Sequence, residues 1–204
     1  MGLFPGDPGM VKTMTDALRD QHLRQNLDHY EGFEPRPYPD AKGTTSIGLG
    51  TQRNAITNAG LRELGLDPTK VWAGQQPLSR QQAAKLRDGA IRDVETKIKG
   101  RFTDWDNMPV AKRNALVMMG YQMGPGFVDK FPSMVKAVNR EDWLTAQKEA
   151  LYQVGDPEKS GYMKEKSDWH KQTPRRAKET ADLFIHNPFV PRPQHPVPAH
   201  TLKK

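Results

Sequence analysis

The 204-residue chain has no cysteine, so neither a disulfide framework nor a thiol nucleophile is available to it. No apolar run approaches the roughly 20 residues that cross a bilayer as a helix. The six histidines, at positions 22, 29, 170, 186, 195 and 200, have no metal-ligand spacing, and no metal or other cofactor is expected. The opening MGLFPGDPGMVK lacks the charged region and long apolar stretch of a secretory leader. If the target is extracytoplasmic, another agent must therefore deliver the protein. The net charge of +7 implies an anionic partner. Nucleic acid ranks low among these, because the basic residues are spread along the chain and no nucleic-acid motif accompanies them.

What the chain does have is a dense stretch from Glu31 to Gly50, EGFEPRPYPDAKGTTSIGLG. Gly32 and the prolines at 35, 37 and 39 predict that a helix ends at about Glu31, since each proline removes a backbone donor and disfavours helix in the residue before it. Asp40 then falls on or beside the turn Pro39–Gly43, which can fold it back toward Glu31. From Ser46 to Gly50 the sequence alternates as a strand does. Ile47 and Leu49 are expected to face the core, while Ser46, Gly48 and Gly50 present a hydroxyl and bare backbone to the other side, where a sugar polymer would fit. Two carboxylates meeting across a space suit acid–base work on a glycosidic bond, and a helix C-terminus with partial burial favours the protonated acid. Charged residues beside a Gly- and Pro-rich hairpin are, on their own, more often just surface.

Helical periodicity marks several further segments. Leu23, Leu27 and Tyr30 continue an apolar spacing from Val11, Met14 and Leu18, with an imperfect join near Asp20. Asn54–Leu64 reads as a short helix, with a turn at Gly65–Pro68. Ser79 and Gln82 form a capping-box signature ahead of the stripe Ala83, Leu86, Ala90, Ile91, Val94 and Ile98. Within that helix Gly89 costs roughly 1 kcal/mol relative to alanine. Met108–Met123 begins with Pro109 and is apolar nearly all round from Ala115, as a buried helix would be. Phe131–Asn139 and Glu141–Tyr152 follow as helices, with Trp143, Ala146 and Ala150 inward. Near the end, Thr173 is an expected N-cap, Pro174 the first helical residue, and Ala177, Ala181, Phe184 and Ile185 an apolar stripe. Arg175, Arg176 and Lys178 in the first turns oppose the helix dipole and ask for a nearby anion.

The spacing of these residues resembles the phage-type lysozymes, endolysins of the T-even phage kind in glycoside hydrolase family 24. The resemblance rests on Glu31, Asp40 nine positions on, Gly43, the hydroxyl of Ser46, and the Gly48-x-Gly50 pair. A second cluster, Trp169 to Ala177, lies more than a hundred residues later in the correct order. By that resemblance Glu31 is the catalytic acid, Asp40 the catalytic aspartate and Ser46 the catalytic hydroxyl. Tyr38, Gly48 and Gly50 shape the hairpin against substrate, and Tyr121, Gln122, Gln172 and Thr173 line the cleft. Arg176 supports Glu31, and Trp169 is structural. Two positions depart from the pattern: Ser46 replaces the usual threonine, and Thr51 stands where many members carry histidine.

The implied fold is α+β and mostly α, with a small β-hairpin lobe and a larger helical lobe flanking a cleft. The implied organisation is an N-terminal extension (1–22), the lysozyme domain (23–186) with an insertion at about 153–166, and a proline-rich tail (187–204). The insertion reads as a loop that extends the groove, contacts a partner, or is plain surface. The implied activity is muramidase hydrolysis of peptidoglycan. The two terminal segments are candidates for contacts with other virion proteins and hint at a particle-borne enzyme, the other route being a late lysis enzyme held in the host cytoplasm. Either acts in the bacterial periplasm and cell wall after delivery. The competing readings are a virion structural protein that keeps the fold with weak or no catalysis, and a lytic transglycosylase.

Overall fold

The computed structural model describes residues 21, 23–25, 27, 32–39, 43–154 and 164–186. Tyr30, Glu31 and Asp40, the helix end expected at Glu31, residues 41–42 of the expected turn, residues 155–163 of the expected insertion and the terminal segments 1–20 and 187–204 lie outside the described residues.

The elements in order are strands β1 (Glu34–Pro39), β2 (Thr45–Gly48) and β3 (Thr51–Gln52), then helices α1 (Asn58–Glu63), α2 (Pro68–Trp72), α3 (Arg80–Ile98) and α4 (Val110–Met123). They continue with α5 (Phe127–Lys130), α6 (Pro132–Val138), α7 (Trp143–Leu151), strands β4 (Tyr152–Val154) and β5 (Lys164–Lys166), and helices α8 (Asp168–Gln172) and α9 (Pro174–Asp182). β1, β2 and β3 form an antiparallel sheet in that order. This is the mostly α, α+β arrangement that the resemblance implies.

The apolar side chains segregate into two cores. The smaller joins Ile47 and Leu49 of the sheet region to Leu61, Leu66, Val71, Leu78, Ala83 and Leu86. The larger gathers Leu23 and Leu27, which are both helical, with the later helices, including Phe127, Met134, Trp169 and Phe184. Helix α3 belongs to both. Ala83 and Leu86 face the small core, whereas Ile91, Val94 and Ile98 face the large one. Nineteen residues can span both cores because the helix rises about 1.5 Å per residue. Its start is the capping box read from sequence, with Ser79 accepting from the Gln82 backbone and Gln82 accepting from the Ser79 backbone. Ile98 is fully buried, and truncating such a side chain to alanine costs about 2–5 kcal/mol.

Several expectations change in detail. The turn expected at Gly65–Pro68 opens helix α2, where Asp67 caps the Thr69 and Lys70 amides ahead of Pro68. The span Asn54–Leu64 divides into a 3₁₀ turn and α1, which Thr57 caps. The polar 153–166 stretch is not simply loop. Its legs pair as β4 and β5, with Gln153 opposite Glu165. Ser167 closes the base of this hairpin, its amide donating to Leu151 O at 2.8 Å and its hydroxyl to Ala150 O at 2.9 Å. Ile185 does not join the α9 stripe. The helix ends at Asp182, so Leu183 turns inward and Ile185 is exposed.

The buried helix α4 also carries charge at its start. Lys112, Arg113 and Asn114 are buried with the apolar residues around them. Lys112 Nζ donates to Leu183 O at 3.0 Å, beyond the end of α9, and lies 5.8 Å from the Trp143 ring centroid. Burial holds its pKa below the ordinary lysine value.

Candidate active site

β2 carries Ser46, buried at 2 % exposure, opposite Tyr38 on β1 and Gln52 on β3. Tyr38 is half-buried. Beyond Ser46 the expected strand stops at Gly48, because Gly48 and Gly50 both adopt φ +71°, a region open to glycine at little cost. Ile47 and Leu49 do enter the core. The bare backbone at Gly48, however, is not an open surface. Helix α3 fills it, and a Cβ added there would lie 2.8 Å from Ala83 Cβ and 3.4 Å from Leu78 Cδ1. Gly50 is the more accessible of the two.

The last turn of α4 supplies two adjacent side chains that reach in different directions. Tyr121 Oη donates to Leu49 O at 2.9 Å and lies 3.1 Å from Thr51 Oγ1, so it binds the β2–β3 turn. Gln122 turns to the other segment. Its Oε1 accepts from Trp169 Nε1 at 2.7 Å, and its Nε2 donates to Thr173 Oγ1 at 3.1 Å. Two consecutive residues thus tie together the hairpin and the α8–α9 junction, the two halves of the pattern that are so far apart in sequence.

Gln122, which the resemblance places on the lining of the cleft, has both ends of its amide engaged inside the protein, leaving one N–H and one lone pair for anything else. Thr173 stands at the N-cap position of α9, yet its hydroxyl does not cap. It donates back to Trp169 O at 3.0 Å and accepts from Gln122. Trp169 is buried and packs edge-on against Phe131, with 6.4 Å between ring centroids. Gln172 is exposed and Arg176 half-buried on the first turn of α9. Part of the anion demand on that turn is met locally, since Arg175 Nε pairs with Glu179 Oε1 at 2.9 Å.

An open cavity of about 200 Å³ beside Tyr121 is lined by residues that include Gln52, Asn54, Asp93, Lys97 and Gly124. Among the described residues, no group of His, Cys, Asp and Glu is arranged to hold a metal, and no helix is long and apolar enough to cross a membrane.

Against this geometry, the family model for phage lysozyme matches residues 28–179. The chain belongs to the phage lysozyme family. Relatives include a probable T4-type lysozyme 2 of Dictyostelium discoideum, 25 % identical over 79 % of this chain and 92 % of the relative. Another is the pre-baseplate central spike protein Gp5 of Enterobacteria phage T4, 24 % identical over 89 % of this chain. The chain spans only 30 % of the length of that spike protein.

Sequence reasoning named Tyr121, Gln122, Trp169 and Thr173, but it missed the Thr51–Tyr121–Leu49 link. The available signal was that Thr51 and Tyr121 both carry hydroxyls, with Thr51 already standing out against the family pattern.

Proposed function

We propose that the protein is a muramidase that hydrolyses the β-1,4 bond between N-acetylmuramic acid and N-acetylglucosamine in peptidoglycan. The observation that carries this reading is the pair Tyr121 and Gln122, which links the hairpin motif to the Trp169–Arg176 motif across one inter-lobe junction. In this mechanism Glu31 protonates the leaving oxygen. Asp40 activates water or stabilises the sugar cation, and Ser46 orients that water. An inverting reaction of this kind wants the two carboxylates about 6.5–9.5 Å apart, with room for water between them. Tyr38, Gly50 and Gln172 are proposed contacts for the glycan. Arg176 is proposed to hold Glu31, a charge pairing that fixes the carboxyl but also favours its ionised form.

The test is a peptidoglycan zymogram of wild type beside Glu31→Gln, with product analysis. Clearing by wild type alone, with reducing-end products, is expected. Equal clearing by Glu31→Gln would remove the proposed acid, and anhydro-muropeptide products would move the enzyme to the lytic transglycosylases.

The similarity to a phage spike protein favours a second reading, in which the enzyme travels in the particle and opens the wall during entry. Residues 1–22 and 187–204 are then the proposed contacts with other virion proteins. Mass spectrometry of purified particles tests this. The chain at stoichiometric abundance supports it, and its recovery only from lysates overturns it.

A further inference from the structure

We propose that Tyr121 is a positioning residue: its hydroxyl is a latch that holds the β2–β3 turn against the large lobe and so sets where the hairpin presents Ser46. The proposal rests on the muramidase reading and assigns Tyr121 a role other than sugar contact.

The hydrogen-bond geometry fixes the direction of the latch. A phenol has one hydrogen, and that of Tyr121 goes to Leu49 O. The 3.1 Å contact with Thr51 Oγ1 then requires Thr51 to donate and Tyr121 to accept. The result is a directed chain from Thr51 through Tyr121 to the Leu49 carbonyl. Both hairpin partners are almost fully buried, Leu49 at 2 % exposure and Thr51 at 1 %. Hydrogen bonds shielded in this way are hard to replace with water, so losing one leaves polar groups unsatisfied.

The location gives the latch its effect. Tyr121 sits on α4 and packs against the large core, whereas Leu49 belongs to the small core. The bond therefore crosses the lobe boundary. Between Leu49 and Ser46 lie only Ile47 and Gly48, and Thr51 pairs directly with Ile47. On the other side of Tyr121, Gln122 is bound to Trp169 and Thr173. One helical turn thus fixes the hairpin relative to Trp169 and Thr173, just ahead of the first turn of α9 that carries Arg176. Displacing a reacting group by about 1 Å can cost roughly a hundredfold in rate, so a single inter-lobe bond is enough to matter.

The test uses Tyr121→Phe, which keeps the ring and its packing and removes only the hydroxyl. Amide exchange over Leu49–Gln52 is expected to accelerate, with no change in exchange at the buried α3 residues Val94 and Ile98. On soluble peptidoglycan fragments kcat is expected to fall about tenfold, while KM and the affinity for an N-acetylglucosamine trimer stay within about twofold. Unchanged exchange over Leu49–Gln52 overturns the latch. Faster exchange with unchanged kcat overturns its effect on catalysis, and weaker trimer binding with unchanged kcat makes Tyr121 a sugar contact. Should wild type fail to cleave peptidoglycan at all, the muramidase reading falls and the catalytic part of the proposal with it, while the exchange experiment still decides whether the latch exists.

Discussion

Gly48 lies so close to Ala83 that a Cβ on the glycine would come within 2.8 Å of the alanine methyl. The contact locks the β1–β2 hairpin onto the first half of α3, and its closeness depends on hydrogen standing where a side chain would be. Gly48 also sits at φ +71°. Gly48→Ala should therefore lose stability twice over, through the left-handed backbone and through overpacking, by about 2–4 kcal/mol in total. Chemical denaturation measures this. A loss under about 0.5 kcal/mol would mean that the hairpin and α3 separate freely, contrary to the packing described.

The Trp169–Gln122 hydrogen bond yields a second expectation. Trp169→Phe removes the donor to Gln122 Oε1 in a partly buried setting. The orphaned oxygen should cost roughly 1–3 kcal/mol, with the lost indole volume adding to it. A double-mutant cycle with Gln122→Leu isolates the pair, since the two substitutions should be clearly less than additive. Strict additivity would show that the two side chains do not support one another.

Lys112 makes stability depend on alkaline pH. Its folded pKa is depressed by burial below the ordinary 10.5, so between those two values the unfolded chain binds a proton that the folded chain lacks. Stability then rises with pH across that window, by at most about 1.4 kcal/mol per pH unit, and is flat below it. Lys112→Met should abolish this slope. Urea titrations of both proteins at about pH 7 and about pH 10 compare them, and parallel changes would exclude Lys112 as the source.

Ser46 probes the proposed chemistry. If its hydroxyl orients water, Ser46→Ala should lower kcat by roughly tenfold or more, and Ser46→Thr should retain activity, since threonine keeps the hydroxyl and suits a strand. Full activity in Ser46→Ala would take the hydroxyl out of the mechanism.

Much of the fold could be read locally. The capping box at Ser79 and Gln82 needs only side chains three residues apart, and the α3 stripe needs only a helical period, so both appeared in sequence as they are in the structure. Helix α2 was equally local, signalled by Asp67 before Pro68, but the glycine and proline around it read as a turn. The β4–β5 pairing was hidden because short polar strands such as Lys164–Lys166 have no apolar alternation to betray them.

The sequence by itself determined the family, the two motifs and the residues worth testing, because residue types at fixed spacings persist in the linear chain. Only the tertiary structure decided what those residues touch. Gly48 meets Ala83 rather than open space, Thr173 bonds Trp169 and Gln122 rather than capping its helix, and Tyr121 bonds a turn some seventy residues away in sequence. Hydrogen-bond partners and close contacts are set by how separate elements pack, and no spacing along one segment encodes the position of another. The described part of the Glu31–Gly50 stretch is held by residues outside it, among them Tyr121 at Leu49 O, Ala83 against Gly48 and the Leu78 amide at Pro35 O.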